Sequence, residues 1–284
     1  MQTVIGLGEL LWDVFPDGKK LGGAPCNFVY HAQKQGAIGI VLSAVGDDII
    51  GKEILEVFKS KGISSEFIEL SSKPTSIVDV KLNSNGVPEY MIYEDVAWDY
   101  IHFNKAIEQK VKKVDVICFG SLAQRNTVSR QTIEKILKCC SQETIIVFDV
   151  NLRQDFYNLE VIEESMQLCN VLKLNEQELP IVCKLLGIVS VNEEDQIVDL
   201  IRDYNLKLVA FTKGSEGSLL MTPTERSYIK TKKVKVKDTV GAGDSFSAAM
   251  TVGFVNGDSL KDLHQKAVEL SAFVCASDGA MPEC

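Results

Sequence analysis

The chain has 284 residues, of which 45% are hydrophobic and 24% are charged, and its formal net charge is −9. This length and apolar content allow a large core and exclude a disordered chain. The acidic balance and the lack of a lysine- and arginine-rich run argue against nucleic acid as a partner, so an anionic ligand would need local donors or a metal.

The eight cysteines are scattered and no Cys-x-x-Cys pair occurs, which indicates free thiols in a reducing compartment. The N-terminus reads as a strand at residues 3–7 instead of a basic leader. No apolar run approaches the roughly 20 residues that a membrane span needs. We therefore expect a soluble, cytoplasmic protein with no membrane partner.

Apolar strand-like runs alternate with helical patterns along the chain, which predicts a mainly parallel sheet covered by helices on both faces. The predicted core strands span residues 3–8, 39–45, 66–70, 114–119, 144–149, 170–173 and 207–212. The predicted crossover helices span residues 24–36, 49–61, 127–140, 159–168, 175–186 and 193–204. No repeat or low-complexity linker divides the chain, so we interpret residues 1–284 as one α/β domain.

Two segments, residues 11–21 and 76–100, break this alternation. The first folds about Pro16-Asp17-Gly18, and the second has strand patterns on both sides of Asn83-Ser84-Asn85-Gly86, a strong hairpin signal. Because neither segment has a helix to cover it, we expect a small β sheet that serves as a lid over a cleft or as a dimer contact. Ordinary surface hairpins explain the pattern equally well.

A glycine pair, Gly22-Gly23, comes shortly before the first predicted helix and Asn27 lies in that helix's first turn. The glycines allow a ligand to approach the backbone, and Asn27 offers both a donor and an acceptor for hydroxyl groups. Asp13 follows the first strand at the sheet edge where open α/β sheets bind ligands. A sugar-like polyol suits these groups, and a plain loop-to-helix junction is the alternative.

Two other glycine-containing segments are rejected as nucleotide sites. Residues 46–53 resemble a Walker A loop, but Glu53 stands where a hydroxyl should bind magnesium, and Asp47 and Asp48 would repel phosphate. The Gly6-x-Gly8 pair lacks the third glycine of the dinucleotide fingerprint, which disfavours an oxidoreductase.

Polar groups also follow the later strands. Arg153, shortly after the strand that ends at Asp149, has a planar fork suited to phosphate, and a structural ion pair is the rival interpretation. Asn175 and Glu178 have the spacing of a helix capping box, and the same spacing can hold a hydrated magnesium ion. The turn at residues 212–217 suits nucleotide phosphates, although glycine is common in any tight hairpin.

The stretch from Asp238 to Phe246 places Gly241-Ala242-Gly243 before Asp244 and an apolar helix. Such glycines let backbone N–H groups point at one spot, and the helix adds its positive end, which together form an anion hole. Asp244 at its mouth is placed to take a proton from an attacking hydroxyl, which predicts phosphoryl transfer to an alcohol. An ordinary loop with Asp244 as a helix N-cap is the alternative.

Taken together, these segments resemble the ribokinase-like (PfkB) family of sugar kinases, in the expected order and over nearly the whole chain. Within that family the chain is most similar to fructokinases, through residues 8–13, 22–27, 121–126 and 149–153. The resemblance implies a three-layer α/β/α fold with a small β lid, and an ATP-dependent kinase that converts fructose to fructose 6-phosphate. Related members act on ribose, nucleosides, ketodeoxygluconate or aminoimidazole riboside, so these acceptors remain alternatives.

The resemblance also implies a role for each matching residue. Asp244 is the implied catalytic base, with the backbone of Gly241, Ala242 and Gly243 stabilising the transferred phosphate and Arg153 as a further catalytic candidate. The implied sugar-binding residues are Asp13, Gly22, Gly23 and Asn27. The implied ATP-binding residues are Asn175, Thr212, Lys213, Gly214 and Gly217, and Glu178 is implied to hold Mg²⁺ through water. A monovalent cation such as K⁺ is implied at Asp238, Val240, Val274, Ser277 and Gly279.

Some features depart from the family pattern or stay unassigned. Asp278 stands where relatives often carry a basic residue before the glycine, and Asp95, Trp98 and Asp99 lie in the lid segment without an assigned role. A noncatalytic sugar-binding sensor is an alternative of a different class, because a fold does not fix a function. The presence of Asp244 and both glycine turns disfavours it.

Overall fold

The computed structural model describes residues 1–16, 18–82 and 88–283, with only the backbone of residues 80–82 and 88–90. Asp17, the predicted turn at Asn83-Ser84-Asn85-Gly86, and Cys284 lie outside the described residues. Seven cysteines within the described ranges are free thiols. No helix in these ranges is both long and apolar enough to cross a membrane.

The described chain alternates strands and helices for most of its length. The strands are β1 (Thr3–Leu7), β2 (Leu11–Phe15), β3 (Gly18–Gly22), β4 (Ile38–Gly46), β5 (Ile68–Ser71), β6 (Ser76–Leu82), β7 (Pro88–Ile92), β8 (Val116–Phe119), β9 (Ile145–Asp149), β10 (Val171–Asn175), β11 (Leu208–Thr212), β12 (Ser218–Met221) and β13 (Arg226–Ile229). The helices are α1 (Ala24–Lys34), α2 (Ile49–Lys61), α3 (Lys105–Val111), α4 (Thr127–Cys139), α5 (Leu159–Leu168), α6 (Glu178–Leu186), α7 (Glu193–Tyr204), α8 (Ala242–Asn256) and α9 (Leu260–Cys275).

The main sheet has the strand order β13-β12-β11-β10-β9-β8-β1-β4-β5. All neighbours pair in parallel except β12, which is antiparallel to both β11 and β13. Central strands such as β9 are buried at every position, as expected for parallel strands covered on both faces. This arrangement confirms the predicted mainly parallel sheet with helices on both faces.

Two hydrophobic clusters cover the two faces of the main sheet. Helices α3 to α7 contribute to one cluster through residues such as Ile136 and Ile162. Helices α1, α2, α8 and α9 contribute to the other through residues such as Phe28 and Phe246. Helix α1, which follows the predicted sugar loop, and helix α8, which begins at the predicted anion hole, therefore pack on the same face of the main sheet.

Several helices begin at an asparagine or aspartate whose side chain caps the helix N-terminus. Asn104, Asn126, Asn158 and Asn192 each accept a backbone N–H at the start of α3, α4, α5 and α7. Asp48 does the same for α2, accepting from the Gly51 N–H at 2.7 Å, and it also holds the Thr75 N–H. The acidic residue that argued against a Walker A loop thus has a structural role.

A smaller, four-stranded sheet has the order β3-β2-β6-β7 and comes from the two segments that were predicted to form a lid. Strand β2 is antiparallel to β3 and parallel to β6. The second segment leaves this sheet before residue 100, because residues 97–100 form a 3₁₀ helix whose Trp98 side chain is fully buried in the main core.

The remaining unassigned residues of that segment lie at its junction with the main body. Asp99 is buried and pairs with Arg125 through two contacts of 2.8 and 2.9 Å, and Arg125 stacks over the Trp98 ring. Asp95 pairs instead with Lys73. These contacts anchor the small sheet to the main body.

Some predicted boundaries differ from the structure. The strand expected at 170–173 continues to Asn175, and the following helix begins at Glu178 instead of 175, because Asn175 stays in the sheet and accepts from the N–H groups at the helix start. The sequence prediction omitted α3 and the C-terminal α9, and it omitted the antiparallel strands β12 and β13.

Candidate active site

Several residues that the sequence singled out lie at the carboxyl edge of the main sheet. A cavity lies there between the start of α1, the ends of β8 and β9, and the first turn of α8. It is lined by Ala24, Pro25, Phe28, Cys118, Phe119, Gly120, Asp149, Asn151 and Asp244. The fold therefore brings the predicted sugar-loop helix and the predicted base to one place.

The first turn of α8 is the segment that was predicted to form an anion hole. Gly241 has φ 78°, and no side chain caps the helix, so the turn keeps N–H groups for an external anion. A Cβ on Gly241 would lie 2.6 Å from the Ala280 Cβ, which leaves no room for a side chain. The N–H of Ala242 already donates to the Thr239 carbonyl at 3.3 Å.

Asp244 lies in this turn and contacts α1. The Asn27 amide donates from Nδ2 to Asp244 Oδ2 at 2.7 Å. Burial raises the pKa of Asp244 to about 6, repulsion from Asp149 adds to the increase, and the Asn27 hydrogen bond opposes it. A carboxylate whose pKa is close to neutral is suited to act as a general base.

The predicted sugar loop surrounds the same carboxylate. A Cβ on Gly22 would lie 2.3 Å from Asp13 Oδ2, and a Cβ on Gly23, where φ is 108°, would lie 2.4 Å from the Glu9 carbonyl oxygen. Gly23 therefore requires glycine, whereas a side chain at Gly22 would force the Asp13 and Leu11 side chains to move. The Asn27 Oδ1 is buried and has no hydrogen-bond partner within the described ranges, so it can accept a hydroxyl hydrogen bond.

Asp13 lies in β2 of the small sheet, and its carboxyl group interacts electrostatically with charged groups of the main site. Burial raises its pKa to about 6, Arg153 opposes that increase, and Asp238 and Asp244 reinforce it. The small sheet thus places a carboxylate near the main site. Asp13 lies next to Gly22, in the segment that was predicted to bind a sugar.

Glu9 is a buried carboxyl that sequence reasoning missed. It is 2% exposed, and its Oε2 has no hydrogen-bond partner in the part of the chain that the structure describes. Burial raises its pKa to about 7, and Asp244 adds to the increase, whereas the N–H groups of Glu9 and Ala24 and the charge of Arg153 oppose it. Its only sequence signal was an acid between the apolar strand β1 and the apolar pair Leu10-Leu11.

A second missed group lies beneath the anion hole. Lys173 in β10 pairs with Asp149 in β9, with 2.9 Å between Nζ and Oδ1, and Ser247 of α8 donates to Asp149 Oδ2 at 2.9 Å. Burial disfavours the charged ammonium, but Asp149 and Glu178 outweigh it and raise the pKa of Lys173 above its usual value. The signal was a lysine between Leu172 and Leu174, inside an apolar strand.

Arg153 follows β9 and is exposed. Its Nη1 donates to the Leu152 carbonyl at 3.0 Å, and within the described ranges it forms no ion pair. Its positive charge partly offsets the increase that burial causes in the pKa values of Glu9, Asp13 and Asp244. The guanidinium therefore faces the site without being committed to a single carboxylate.

Asn175 and Glu178 form the reciprocal cap that their spacing predicts. The Asn175 N–H donates to Glu178 Oε2 at 2.9 Å, and the Glu178 N–H donates to Asn175 Oδ1 at 3.0 Å. Glu178 Oε1 also accepts the Leu152 N–H, which links this cap to the Arg153 loop. Burial raises the pKa of Glu178, with Lys173 opposing the increase.

The glycine-rich turn lies beside this cap, because Thr212 pairs with Asn175 across β10 and β11. The Lys213 N–H donates to the Gly217 carbonyl at 2.8 Å and closes the turn. The Lys213 ammonium forms ion pairs with Glu193 at 2.9 Å and with Glu216 at 3.4 Å. Gly217 has φ 144°, and a Cβ there would lie 2.6 Å from the Ile229 carbonyl oxygen, so this position requires glycine, whereas the φ of 48° at Gly214 only favours it.

The predicted cation loop joins the segment before α8 to the segment after α9. Asp238 accepts from the N–H groups of Val240 at 3.0 Å and Gly279 at 3.1 Å, and Lys20 of the small sheet lies 3.3 Å from it. The Val274 carbonyl accepts the Ser277 N–H at 2.9 Å. Asp278, the departure from the family pattern, pairs with Lys237. The five predicted residues therefore lie close together, with Val274 in the last turn of α9 and the other four in the loops before α8 and after α9.

The described residues contain no group of three or more His, Cys, Asp or Glu side chains arranged to hold a metal ion. Magnesium tolerates such a site, since it commonly keeps several waters and binds through one or two carboxylates together with substrate phosphates. Glu178, buried at the anion-hole side of the sheet edge, is a donor of the right type.

Comparison with known proteins agrees with this geometry. A family model described as pfkB family carbohydrate kinase matches residues 8–284. The sugar kinase PH1459 of Pyrococcus horikoshii, described as uncharacterized, is 28% identical over 270 residues, which cover 89% of this chain and 82% of that protein. Fructokinase-2 of Solanum lycopersicum is 24% identical over 293 residues, covering 96% of this chain and 88% of that protein.

Solved structures show the same fold. The structure of PH1459 in complex with ATP has a TM-score of 0.83 at 27% identity and covers 98% of this chain and 94% of that one. Fructokinase from Vibrio cholerae, bound to fructose, ADP and calcium, has a TM-score of 0.83 at 23% identity, with 99% and 95% of the two chains covered.

Proposed function

Because the chain belongs to the pfkB family of carbohydrate kinases and is a sugar kinase, we propose that it is a fructokinase that uses ATP. The products are then fructose 6-phosphate and ADP. The observation that supports this best is the position of Asp244, in the open first turn of α8 and 2.7 Å from Asn27. A base, an anion hole and a hydroxyl-binding amide thus lie together.

In this proposal Asp244 accepts the proton of the attacking sugar hydroxyl. Asp13 and Asn27 bind neighbouring hydroxyls, and Gly22 and Gly23 let the sugar approach the backbone. The N–H groups of the first α8 turn stabilise the charge on the transferred phosphate, which is the main electrostatic contribution to such a reaction. Arg153 reaches the same charge from the opposite loop.

We propose that ATP lies along the edge formed by Asn175 and the turn at 212–217. This assignment rests on the pairing of Thr212 with Asn175, on the glycine conformations of the turn, and on the ATP complex of the related sugar kinase PH1459. Magnesium bound with ATP would neutralise phosphate charge, and Glu178 would hold it through water. Lys213 already pairs with two glutamates, so we expect its backbone to contribute more than its ammonium.

The cation loop is proposed to bind K⁺ through carbonyl groups and Asp238, and thereby to hold the anion hole in shape. Gly241 packs directly on Ala280, so a shift in this loop reaches the first turn of α8. Turnover measured in potassium and in tetramethylammonium buffers tests this assignment.

The whole chain is proposed to act as one cytoplasmic kinase domain whose small sheet is a lid. The edge strands β3 and β7 of that sheet provide pairing surfaces for a second copy, which would give a homodimer. A solution mass at monomer size, measured by light scattering, would exclude the dimer.

The choice of fructose follows the similarity to fructokinase-2 and is tested by a sugar panel. ADP production is measured with fructose, ribose, ketodeoxygluconate, aminoimidazole riboside and nucleosides at equal concentrations. We expect the highest kcat/KM with fructose, and a higher value with another acceptor would reassign the substrate. Sugar binding without ADP production from any acceptor would instead favour the noncatalytic sensor.

A further inference from the structure

The buried pair of Lys173 and Asp149 has no part in the reaction described so far. Lys173 is 7% exposed and Asp149 is 4% exposed, and they occupy paired positions of β10 and β9. Burying two charges costs free energy that a hydrophobic pair of the same size would not. Their position therefore needs an explanation other than stability.

The pair contacts the first turns of α8 on both sides of Asp244. Ser247, three residues after Asp244, donates its hydroxyl to Asp149 Oδ2 at 2.9 Å. A Cβ on Gly243, the residue before Asp244, would lie 3.0 Å from the Lys173 ammonium, so the backbone there passes close to the cation. The helix turn that carries Asp244 thus lies directly on the pair.

The charges around Asp244 come from every element packed against it. Asp149 and Lys173 face it from the sheet and Arg153 from the loop after β9, while its own charge acts on Glu9, Asp13 and the thiols Cys26 and Cys118. Asp149 raises the pKa of Asp244, and Lys173 lowers it. The two members of the pair therefore act on Asp244 in opposite directions.

We propose that Lys173 and Asp149 are positioning residues that hold the first turns of α8 and set, through their opposed charges, how tightly Asp244 holds its proton. This inference rests on the proposed role of Asp244 as the base. Asp149 makes the carboxylate basic enough to accept a proton, and Lys173 keeps it ionised at neutral pH. Ser247 and Gly243 fix the distance over which both charges act.

The test compares two variants with opposite expected effects, Asp149→Asn and Lys173→Met. The kcat/KM of the kinase is measured against pH, together with the carboxyl ¹³C shift of Asp244 in ligand-free protein, assigned by comparison with Asp244→Asn. Asp149→Asn removes a negative charge and should lower the pH midpoint of the Asp244 titration by about one unit. Lys173→Met removes a positive charge and should raise that midpoint by about one unit. Equal shifts of the same sign, or no shift in either variant, would overturn the proposal.

Three further variants separate charge from packing. Ser247→Ala removes a hydrogen bond to Asp149 and leaves both charges in place, so its midpoint should stay at the wild-type value; a shift as large as that of Asp149→Asn would contradict us. Lys173→Arg keeps the positive charge and should retain the wild-type midpoint. If one single variant fails to fold, the double variant Asp149→Asn/Lys173→Met, which leaves no unpaired charge, still tests the proposal, because its midpoint should lie closer to the wild-type value than that of the single variant that folds.

In the double variant we expect a midpoint between those of the two single variants and a kcat closer to wild type than that of Lys173→Met. A midpoint outside that interval would show that the helix turn has moved. The carboxyl titration needs no turnover, so it tests this inference even if Asp244 is not the base. Unchanged turnover in Asp244→Asn would refute the proposed catalytic role without touching the titration result.

Discussion

Asn27 and Asp244 are 217 positions apart in the sequence, yet their side chains share a hydrogen bond of 2.7 Å. It joins the first turn of α1, which follows the proposed sugar loop, to the first turn of α8, which is the proposed anion hole. The single oxygen of the Asn27 amide, Oδ1, is buried and has no hydrogen-bond partner among the described residues. In the proposed function, one asparagine therefore both holds the base and offers an acceptor to a substrate hydroxyl.

The first prediction concerns the base itself. Asp244→Asn removes the proton acceptor but keeps the size and the Asn27 contact, so kcat should fall about 10³-fold, within the range that general bases contribute. Fructose binding should be largely retained, because the hydroxyl ligands are other residues. Steady-state ADP release and calorimetric binding measure the two properties. Asp203→Asn, an exposed change on α7, is the control, and near-normal turnover in Asp244→Asn would disprove the assignment.

The second prediction concerns the acid limb of the pH profile. Asp244 is active when ionised and its pKa is about 6, so kcat/KM should fall about tenfold per unit below pH 6. The Asn27 hydrogen bond lowers this pKa, and Asn27→Leu should therefore move the limb upwards by about one unit. The profile is measured between pH 4.5 and about 8.5, well beyond the limb on both sides. A limb that stays in place would show that the hydrogen bond does not act on the base.

Much of this site was visible in the sequence because its parts are local. Gly241, Gly243 and Asp244 lie close together in the sequence, and the pair Gly22-Gly23 lies just before Asn27. Each motif therefore predicts both a backbone conformation and the polar side chain beside it. That the two motifs meet was expected only from the family resemblance. Periodicity alone predicts strands and helices, and it does not give the order of the strands in the sheet.

The sequence did not reveal the groups whose role depends on contacts between distant segments. Lys173 and Asp149 are single charged residues in apolar strands, and their pairing depends on β9 lying beside β10. Trp98 was assigned to the lid by position, whereas packing against the main core places it under the junction. Burial of a polar side chain is a property of the tertiary structure, so a one-dimensional pattern misses it.

The third prediction concerns Glu9 and stability. Folding raises the pKa of Glu9 from 4.5 to about 7, so the native state holds a proton that the unfolded state has released between these values. Stability should therefore fall as pH rises through this window. Glu9→Gln removes the ionisation, and relative to wild type it should gain about 2 kcal/mol between pH 5 and about 8. Urea unfolding at both pH values measures the gain, and a constant difference between the two proteins would contradict it.

The last prediction separates the anion hole from simple backbone strain by comparing the two ends of α8. Gly241 and Gly257 both have φ 78°, so alanine at either position should cost about 1–2 kcal/mol of stability. A Cβ at Gly257 meets open space, whereas a Cβ at Gly241 would lie 2.6 Å from Ala280 and would push the first helix turn away from the cation loop. Gly241→Ala should therefore lose about 100-fold in kcat, as expected when a donor to the developing charge is displaced, and Gly257→Ala should keep the wild-type value. Thermal unfolding and ADP release on both variants decide the matter, because equal losses of kcat would mean that strain in the helix, and not the position of its N–H groups, controls turnover.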